Sequence, residues 1–331
     1  MPATTLPLLL FVLAAATFQA SAFQTTQSNA ATAKQFLPNQ LNVTHYPYSV
    51  HLPDRTTRNL APLTTPPPVV LSLSGSGARG PPDMLGELSG YDGLSRKIQE
   101  YNSGNYTPAH QLAAEEFLTI VPLAPIEGPQ WNASWDVTVM PGILAQVAST
   151  YELDLTRVYL STYSMGARAG WDLLIQNPNI FAAAVLSSGN TTADAQQLST
   201  IFGIPIRSYY GTDDEAGLAQ MLEGTNATYV WNTLLAAESA GTGPQNASKF
   251  LETIIVQNAS HLEQTDRPWD EDVIVDGFQG AIPWMLAQSL PTGAQIPGIN
   301  LTTYGGGVEI ISSASNTTST ASSTNSTTQP P

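Results

Sequence analysis

A serine hydroxyl is a weak nucleophile at neutral pH unless a base lies within hydrogen-bond reach, so the informative serines are those whose surroundings enforce an unusual presentation. Ser164 is one. The run Val158-Tyr159-Leu160-Ser161 favours a strand, and Met165-Gly166-Ala167-Arg168-Ala169-Gly170-Trp171, directly after Ser164, favours a helix. A strand that becomes a helix at a serine holds that residue in a strained turn and lifts its Oγ above the sheet edge. The next backbone N–H is then left free to stabilise an oxyanion. The usual pattern has glycine two residues before and two after the serine. Here Gly166 is present, and Thr162 occupies the earlier position. Taken alone, the pattern also fits a serine in an ordinary Ser-x-Gly loop.

Imidazole is the suitable base, with a carboxylate to hold its tautomer and favour the imidazolium. The chain has 4 histidines (His45, His51, His110 and His261), and only His261 follows Ser164. The acid is expected after a strand over Pro205–Tyr210, in Gly211-Thr212-Asp213-Asp214-Glu215, where Asp213 and Asp214 are both available. A solvated acidic turn is the competing use of that segment. Cysteine is absent, which removes disulfides, thiolate metal sites and a cysteine nucleophile together. No close pair of histidines stands among acidic residues at metal-ligand spacing, so neither a metal nor a cofactor is expected.

A second chemical segment is Ser74-Gly75-Ser76-Gly77-Ala78-Arg79-Gly80. Glycines this dense let the backbone turn tightly and approach a ligand. Three uses compete: a phosphate cradle, the other half of an oxyanion hole, and a plain surface loop. A phosphate cradle needs a Lys-Ser/Thr ending or a helix beginning within the glycines, and Pro81-Pro82 opposes that.

These residues need a scaffold, and the chain offers alternating strands and helices. Strands are expected at Tyr46–Leu52 (near a sheet edge, ending at Pro53), Val69–Leu73, Phe117–Val121, Val158–Ser161, Phe181–Leu186, Pro205–Tyr210 and Phe250–Val256. Helices are expected at Gly93–Tyr101, Ala109–Glu116, Val137–Tyr151 with Pro141 in its first turn, the segment after Ser164, Ala216–Glu223, Tyr229–Ser239 and Val275–Gln288. Pro283 should kink the last helix or delay its start. Such alternation implies a mainly parallel central sheet with helices on both faces, an α/β fold whose ligands bind at the carboxyl ends of the strands. The loops at Ser74, Ser164, Gly211 and Asn258 each follow closely on a predicted strand, which gathers them at one rim.

From about Tyr46 to Gln288 the chain resembles serine esterases of the α/β-hydrolase fold. The branch includes dienelactone-hydrolase-like, phospholipase/carboxylesterase-like and polyhydroxybutyrate-depolymerase-like enzymes, with feruloyl and acetyl-xylan esterases. Val158–Leu173 is similar to the branch's strand, Ser-Met-Gly turn and following helix. Leu71–Gly80 is similar to its strand and His-Gly-Ser-Gly-x-Arg-Gly loop, with Ser74 replacing the histidine, and Tyr210–Asp214 to its acid loop. The resemblance implies Ser164 as nucleophile, His261 as base and Asp214 as orienting acid, since the acid usually falls three after the glycine. It also implies an oxyanion hole built from the N–H groups of Met165 and Ser76.

Trp131 and Trp135 could offer an aromatic wall to an acyl, aryl or sugar group; core packing is the equal alternative. The formal charge of −15, with 11 Lys and Arg, argues against nucleic acid and anionic membrane as partners. A small-molecule or polysaccharide-linked ester is the expected partner, with no metal and no stable membrane association. The apolar stretch Leu6–Ala16 and Ala20-Ser21-Ala22 before Phe23 read as a secretory signal peptide over 1–22, with an uncleaved anchor as the competing reading. Sequons at Asn42, Asn105, Asn132, Asn190, Asn226, Asn246, Asn258, Asn300, Asn316 and Asn325 suit an extracellular glycoprotein. A catalytic domain is expected over 23–311. A disordered Ser/Thr-rich tail, unable to bury enough apolar surface to fold, is expected over 312–331. The leading functional expectation is a secreted carboxylic-ester hydrolase. A serine peptidase on the same fold and a catalytically silent secreted binding protein are its rivals.

Overall fold

The computed structural model describes residues 46–88, 90–124, 135–191, 193–214, 232, 235–236, 238–241, 250–269 and 280–290. The signal segment, the tail, the helix expected at Ala216–Glu223 and most of that at Tyr229–Ser239 lie outside the described residues.

Within the described residues, β-branched and aromatic runs form a seven-stranded sheet in the order β1-β3-β2-β4-β5-β6-β7. The strands are β1 (Tyr48–His51), β2 (Pro68–Leu73), β3 (Leu118–Pro122), β4 (Asp154–Tyr163), β5 (Ala183–Ser187), β6 (Ile206–Asp213) and β7 (Leu251–Ser260). Only β1, at the edge, runs antiparallel, pairing Tyr48 with Pro122 and His51 with Thr119. All other pairings are parallel, and β4 lies between β2 and β5. The helices are α1 (Leu85–Leu88), α2 (Gly93–Asn102), α3 (Pro108–Glu116), α4 (Met140–Thr150), α5 (Met165–Gln176), α6 (Ala195–Ser199) and α7 (Ala281–Leu286).

Alternation along the strands supplies both faces of the sheet with apolar side chains. In β2, Val69, Leu71 and Leu73 join Leu160, Ile143, Val147, Trp171 and Leu174 in one cluster, so α4 and α5 cover that face. Val70 points the other way, into a cluster with Tyr159, Leu94, Ile98, Ala113, Ile282 and Met285, so α2, α3 and α7 cover the opposite face. A strand buried on both sides has no solvent-facing positions to alternate, which is why β2 and β3 read as largely apolar runs, broken only by the buried Ser72 and Thr119. Each fully buried side chain of the Leu or Val class contributes about 1.5–3 kcal/mol of transfer free energy, which fixes the register on which the loops above the sheet depend.

Several boundaries differ from the sequence expectation for identifiable reasons. Thr162 and Tyr163 continue β4 beyond its apolar run because they pair with Leu186 and Ser187 of β5. Helix α7 begins at Ala281, which leaves Pro283 in its first turn, where its missing N–H removes no helical bond. Pro141 sits likewise in the first turn of α4. The glycine loop after β2 is not wholly irregular. Ser76–Ala78 forms a single 3₁₀ turn closed by the Ala78 N–H donating to the Gly75 carbonyl at 3.2 Å.

Candidate active site

The carboxyl ends of β2, β4, β6 and β7 converge, and each brings one of the segments singled out above. Between β4 and α5 the chain reverses at Ser164, whose φ of 52° and ψ of −115° lie outside the regions comfortable for a side-chain-bearing residue. Strain of this kind costs about 1–3 kcal/mol and persists only where the surroundings over-determine it. Here they do. The Ser164 N–H donates to the Ser187 carbonyl at 2.8 Å, and its carbonyl accepts from the Ala167 and Arg168 N–H groups at 3.0 and 3.2 Å.

Two glycines make room for that turn. A Cβ on Gly166 would overlap the Leu73 carbonyl oxygen at the end of β2, so α5 meets the sheet only because that Cβ is missing. Gly170, one helical turn on, would put a Cβ 3.0 Å from Thr162 Cγ2 and 2.9 Å from Leu186 Cδ2. Thr162 stands where the sequence pattern has glycine, and it is buried with its Oγ1 donating to the Val185 carbonyl at 3.2 Å. Gly170 supplies the space that a glycine at 162 would otherwise have left, so the β-branched residue does not displace the turn. Gly166→Ala drives a methyl into backbone rather than into a yielding side chain. It is expected to destabilise the protein by about 3 kcal/mol, read as a lower urea midpoint at unchanged slope.

The Ser164 hydroxyl lies 2.9 Å from His261 Nε2, and His261 Nδ1 lies 3.0 Å from both carboxylate oxygens of Asp214. This arrangement fits one tautomer: Nδ1–H donates to Asp214 and Nε2 accepts from Ser164. Asp214 is 0% exposed, whereas its neighbour Asp213 faces solvent and accepts from its own neighbour, Thr212 Oγ1, at 3.2 Å. A register shift between Gly211 and Asp213 in the β6–β7 pairing lies just before the two acids. Such an irregularity re-aims the side chains that follow it. Gly211 permits it, because a Cβ there would overlap the Ala259 carbonyl oxygen.

Tyr163 braces the histidine loop. Its hydroxyl donates to the His261 carbonyl at 2.7 Å and its ring lies 5.2 Å from the imidazole. Burial, reinforced by the carboxylates of Asp92 and Asp214, pushes that phenol well above its ordinary pKa, so it remains a donor throughout the neutral range. Across the site, Gly75 approaches so closely that a Cβ on it would lie 3.2 Å from Ser164 Cβ and 2.9 Å from Tyr163 Cδ1. The N–H groups of Ser76 and Met165 carry no hydrogen bond among the described residues.

Trp135 is 4% exposed. Its indole N–H donates to the Ser74 carbonyl at 3.3 Å and its ring meets Tyr46 edge-on at 5.2 Å. Of the two uses open to it, packing is the one it has: it props the glycine loop from below. Trp131 lies outside the described residues. Of the sequon asparagines, Asn105 and Asn258 are exposed and Asn190 is half-buried. Asn42, Asn132, Asn226, Asn246, Asn300, Asn316 and Asn325 lie outside the described residues. Among the described residues, no group of three or more His, Asp and Glu side chains could hold a metal ion, and no helix is long and apolar enough to cross a membrane.

No family model matches the sequence. No curated protein matches it either. The solved structure of a thermostable esterase is similar to this one, with a TM-score of 0.50 and 17% sequence identity over 77% of this chain. The chain has the α/β-hydrolase fold. It spans 63% of the length of that esterase. A poly(3-hydroxybutyrate) depolymerase from Bordetella parapertussis is also similar, with a TM-score of 0.48 and 14% identity over 76% of this chain and 93% of that one. An acetyl xylan esterase from Aspergillus awamori gives 0.43 and 17%, over 69% and 93% of the two chains. One residue at the site has no signal in the sequence pattern. Asp92, just before α2, accepts a hydrogen bond from the Gly75 N–H at 2.9 Å. An Asp-Gly pair ahead of a helix signals a turn or a cap, and nothing in its spacing points to a loop 17 residues upstream.

Proposed function

We propose that this chain is a serine hydrolase that cleaves carboxylic esters through an acyl-enzyme on Ser164. The observation that carries the reading is the continuous relay from the Ser164 hydroxyl, 2.9 Å from His261 Nε2, to the buried Asp214 carboxylate, 3.0 Å from Nδ1. In the first half-reaction Ser164 Oγ bonds to the ester carbonyl carbon while its proton passes to His261 Nε2. The tetrahedral oxyanion accepts hydrogen bonds from the Met165 and Ser76 N–H groups. The C–O bond to the alcohol then breaks, and His261 returns the proton to the departing oxygen. A water molecule repeats the sequence on the acyl-enzyme, giving up its proton to His261, and the carboxylic acid leaves with Ser164 restored. Asp214 stays ionised throughout and stabilises the imidazolium. Each oxyanion donor contributes about 2.7–4 kcal/mol to the transition state.

Ester over amide is the class suggested by the thermostable esterase that shares the fold. A fluorophosphonate probe should label the purified protein at Ser164, and short-chain nitrophenyl esters should release acid while unstructured peptides stay intact. An unlabelled protein would favour the silent binding protein, and peptide cleavage the peptidase. The reading extends to location: a signal peptide over 1–22 and glycans on the exposed Asn105 and Asn258 fit an extracellular enzyme. Glycopeptide mass analysis of the protein from culture medium should find both asparagines modified; bare asparagines would remove that part.

A further inference from the structure

We propose that Asp92 is a positioning residue for the oxyanion loop: its carboxylate holds the Gly75 N–H and so sets the Ser76 N–H beside Ser164. The inference rests on Ser164 being the nucleophile.

Asp92 stands at the position that caps α2, yet its side chain makes no capping bond. Gly93, with φ of 62°, turns the chain sharply there, and the carboxylate reaches the Gly75 N–H at 2.9 Å instead. The backbone of Asp92 is held independently, by Ser95 Oγ donating to its carbonyl at 2.8 Å. At 2% exposure the carboxylate has almost no water, a costly placement for a charge unless what it binds requires it. What it binds is the first turn of the glycine loop. Gly75 is in close contact with Ser164 and Tyr163, and its carbonyl closes the 3₁₀ turn that begins at Ser76. Fixing the Gly75 amide plane therefore fixes the direction of the Ser76 N–H, one peptide further on. A bond from an N–H to a carboxylate is roughly twice as strong as one to a neutral acceptor, so the charge stiffens the loop more than an amide would.

The same carboxylate connects the loop to pH. Burial pushes its pKa up to about 6, the Gly75 N–H opposes that shift, the Asp266 carboxylate adds to it and the Arg96 guanidinium opposes it. The Ser74 hydroxyl alongside also holds the value down, and Tyr163 faces the carboxylate as a neutral phenol. The sign follows. Above about 6 Asp92 is charged and the loop is held; as pH falls through that value it takes up a proton and the bond to Gly75 weakens.

The test uses the full chain and a nitrophenyl ester, with Asp92→Ala, Asp92→Asn and Ser164→Ala measured side by side. Asp92→Ala is expected to lower kcat by about tenfold to hundredfold with KM within about threefold, because an oxyanion donor acts chiefly in the transition state. Asp92→Asn keeps an oxygen acceptor in the same volume. It should restore kcat at neutral pH to within about threefold of the parent, which a loss of packing at Asp92→Ala alone would not predict. A folded Asp92→Ala variant with parental kcat would overturn the proposal, as would an Asp92→Asn variant no more active than Asp92→Ala. Should Asp92→Ala fail to fold, Asp92→Leu, which fills the same volume without an acceptor, takes its place beside Asp92→Asn. An inactive Ser164→Ala beside a fully active Asp92→Ala sinks only this inference, whereas an active Ser164→Ala sinks the nucleophile assignment beneath it.

Discussion

Replacing Ser164 with alanine lowers kcat for ester hydrolysis by about 10⁶ and leaves the fold intact. The size follows from what the hydroxyl does. It is the atom that bonds to the substrate, so its loss forfeits the covalent route and makes the proton relay through His261 idle at the same time. A factor of 10⁶ is about 8 kcal/mol of activation free energy, more than any single packing or hydrogen-bond change could account for. The fold should tolerate the change because Ser164 is not a packing residue. Its strained backbone is held by bonds from and to its own peptide groups, which alanine retains. His261→Ala should cost nearly as much, and the double variant little more than either, since groups acting as a unit are not additive. Steady-state kinetics on the three variants, with circular dichroism as the check on folding, give the answer. A Ser164→Ala protein that turns over at near-parental rate would remove the acyl-enzyme.

How much of this was legible beforehand depends on the range of the interaction that decides each feature. Strand β2 and the serine turn are local: Val69–Leu73 is apolar because both faces of the strand are covered, and Ser164 sits at an abrupt change of period. The mainly parallel sheet with helices on both faces follows from the alternation of strands and helices, and the pairings agree with it; the α/β-hydrolase fold was implied by the resemblance. His261 was accessible by position, as the one histidine after Ser164. Thr162 was the residue that looked wrong for the turn. Its compensation, the bare face of Gly170 eight residues later, is a packing fact that no short pattern contains. Asp92 was hidden for a similar reason. A carboxylate before Gly93 has an ordinary local explanation as a helix cap, and only the sheet brings it to Gly75.

The two adjacent acids were equivalent by residue type, and burial against His261 distinguishes Asp214 from the exposed Asp213. From this follows the second large effect. Asp214→Asn should lower kcat by about 10⁴, some 5.5 kcal/mol, with KM little changed. The amide that replaces the carboxylate carries an N–H₂ group, and turning that group toward His261 Nδ1 stabilises the tautomer with the proton on Nε2. In that form the imidazole has no lone pair facing Ser164 and cannot accept its proton. The variant also loses the charge that favours the imidazolium, and with Asp214 fully buried no water can take its place. Asp213→Asn serves as the control. Its side chain faces solvent and accepts a hydrogen bond from Thr212, so it should keep turnover within about twofold, as surface substitutions away from special contacts usually do. The opposite pattern, a silent Asp214→Asn and a crippled Asp213→Asn, would mean that the acid loop rearranges when substrate binds. A large loss in both would point to the charge of the loop as a whole. Only a loss confined to position 214 fits a carboxylate acting through one imidazole nitrogen, and kcat for the two single variants at neutral pH is sufficient to decide.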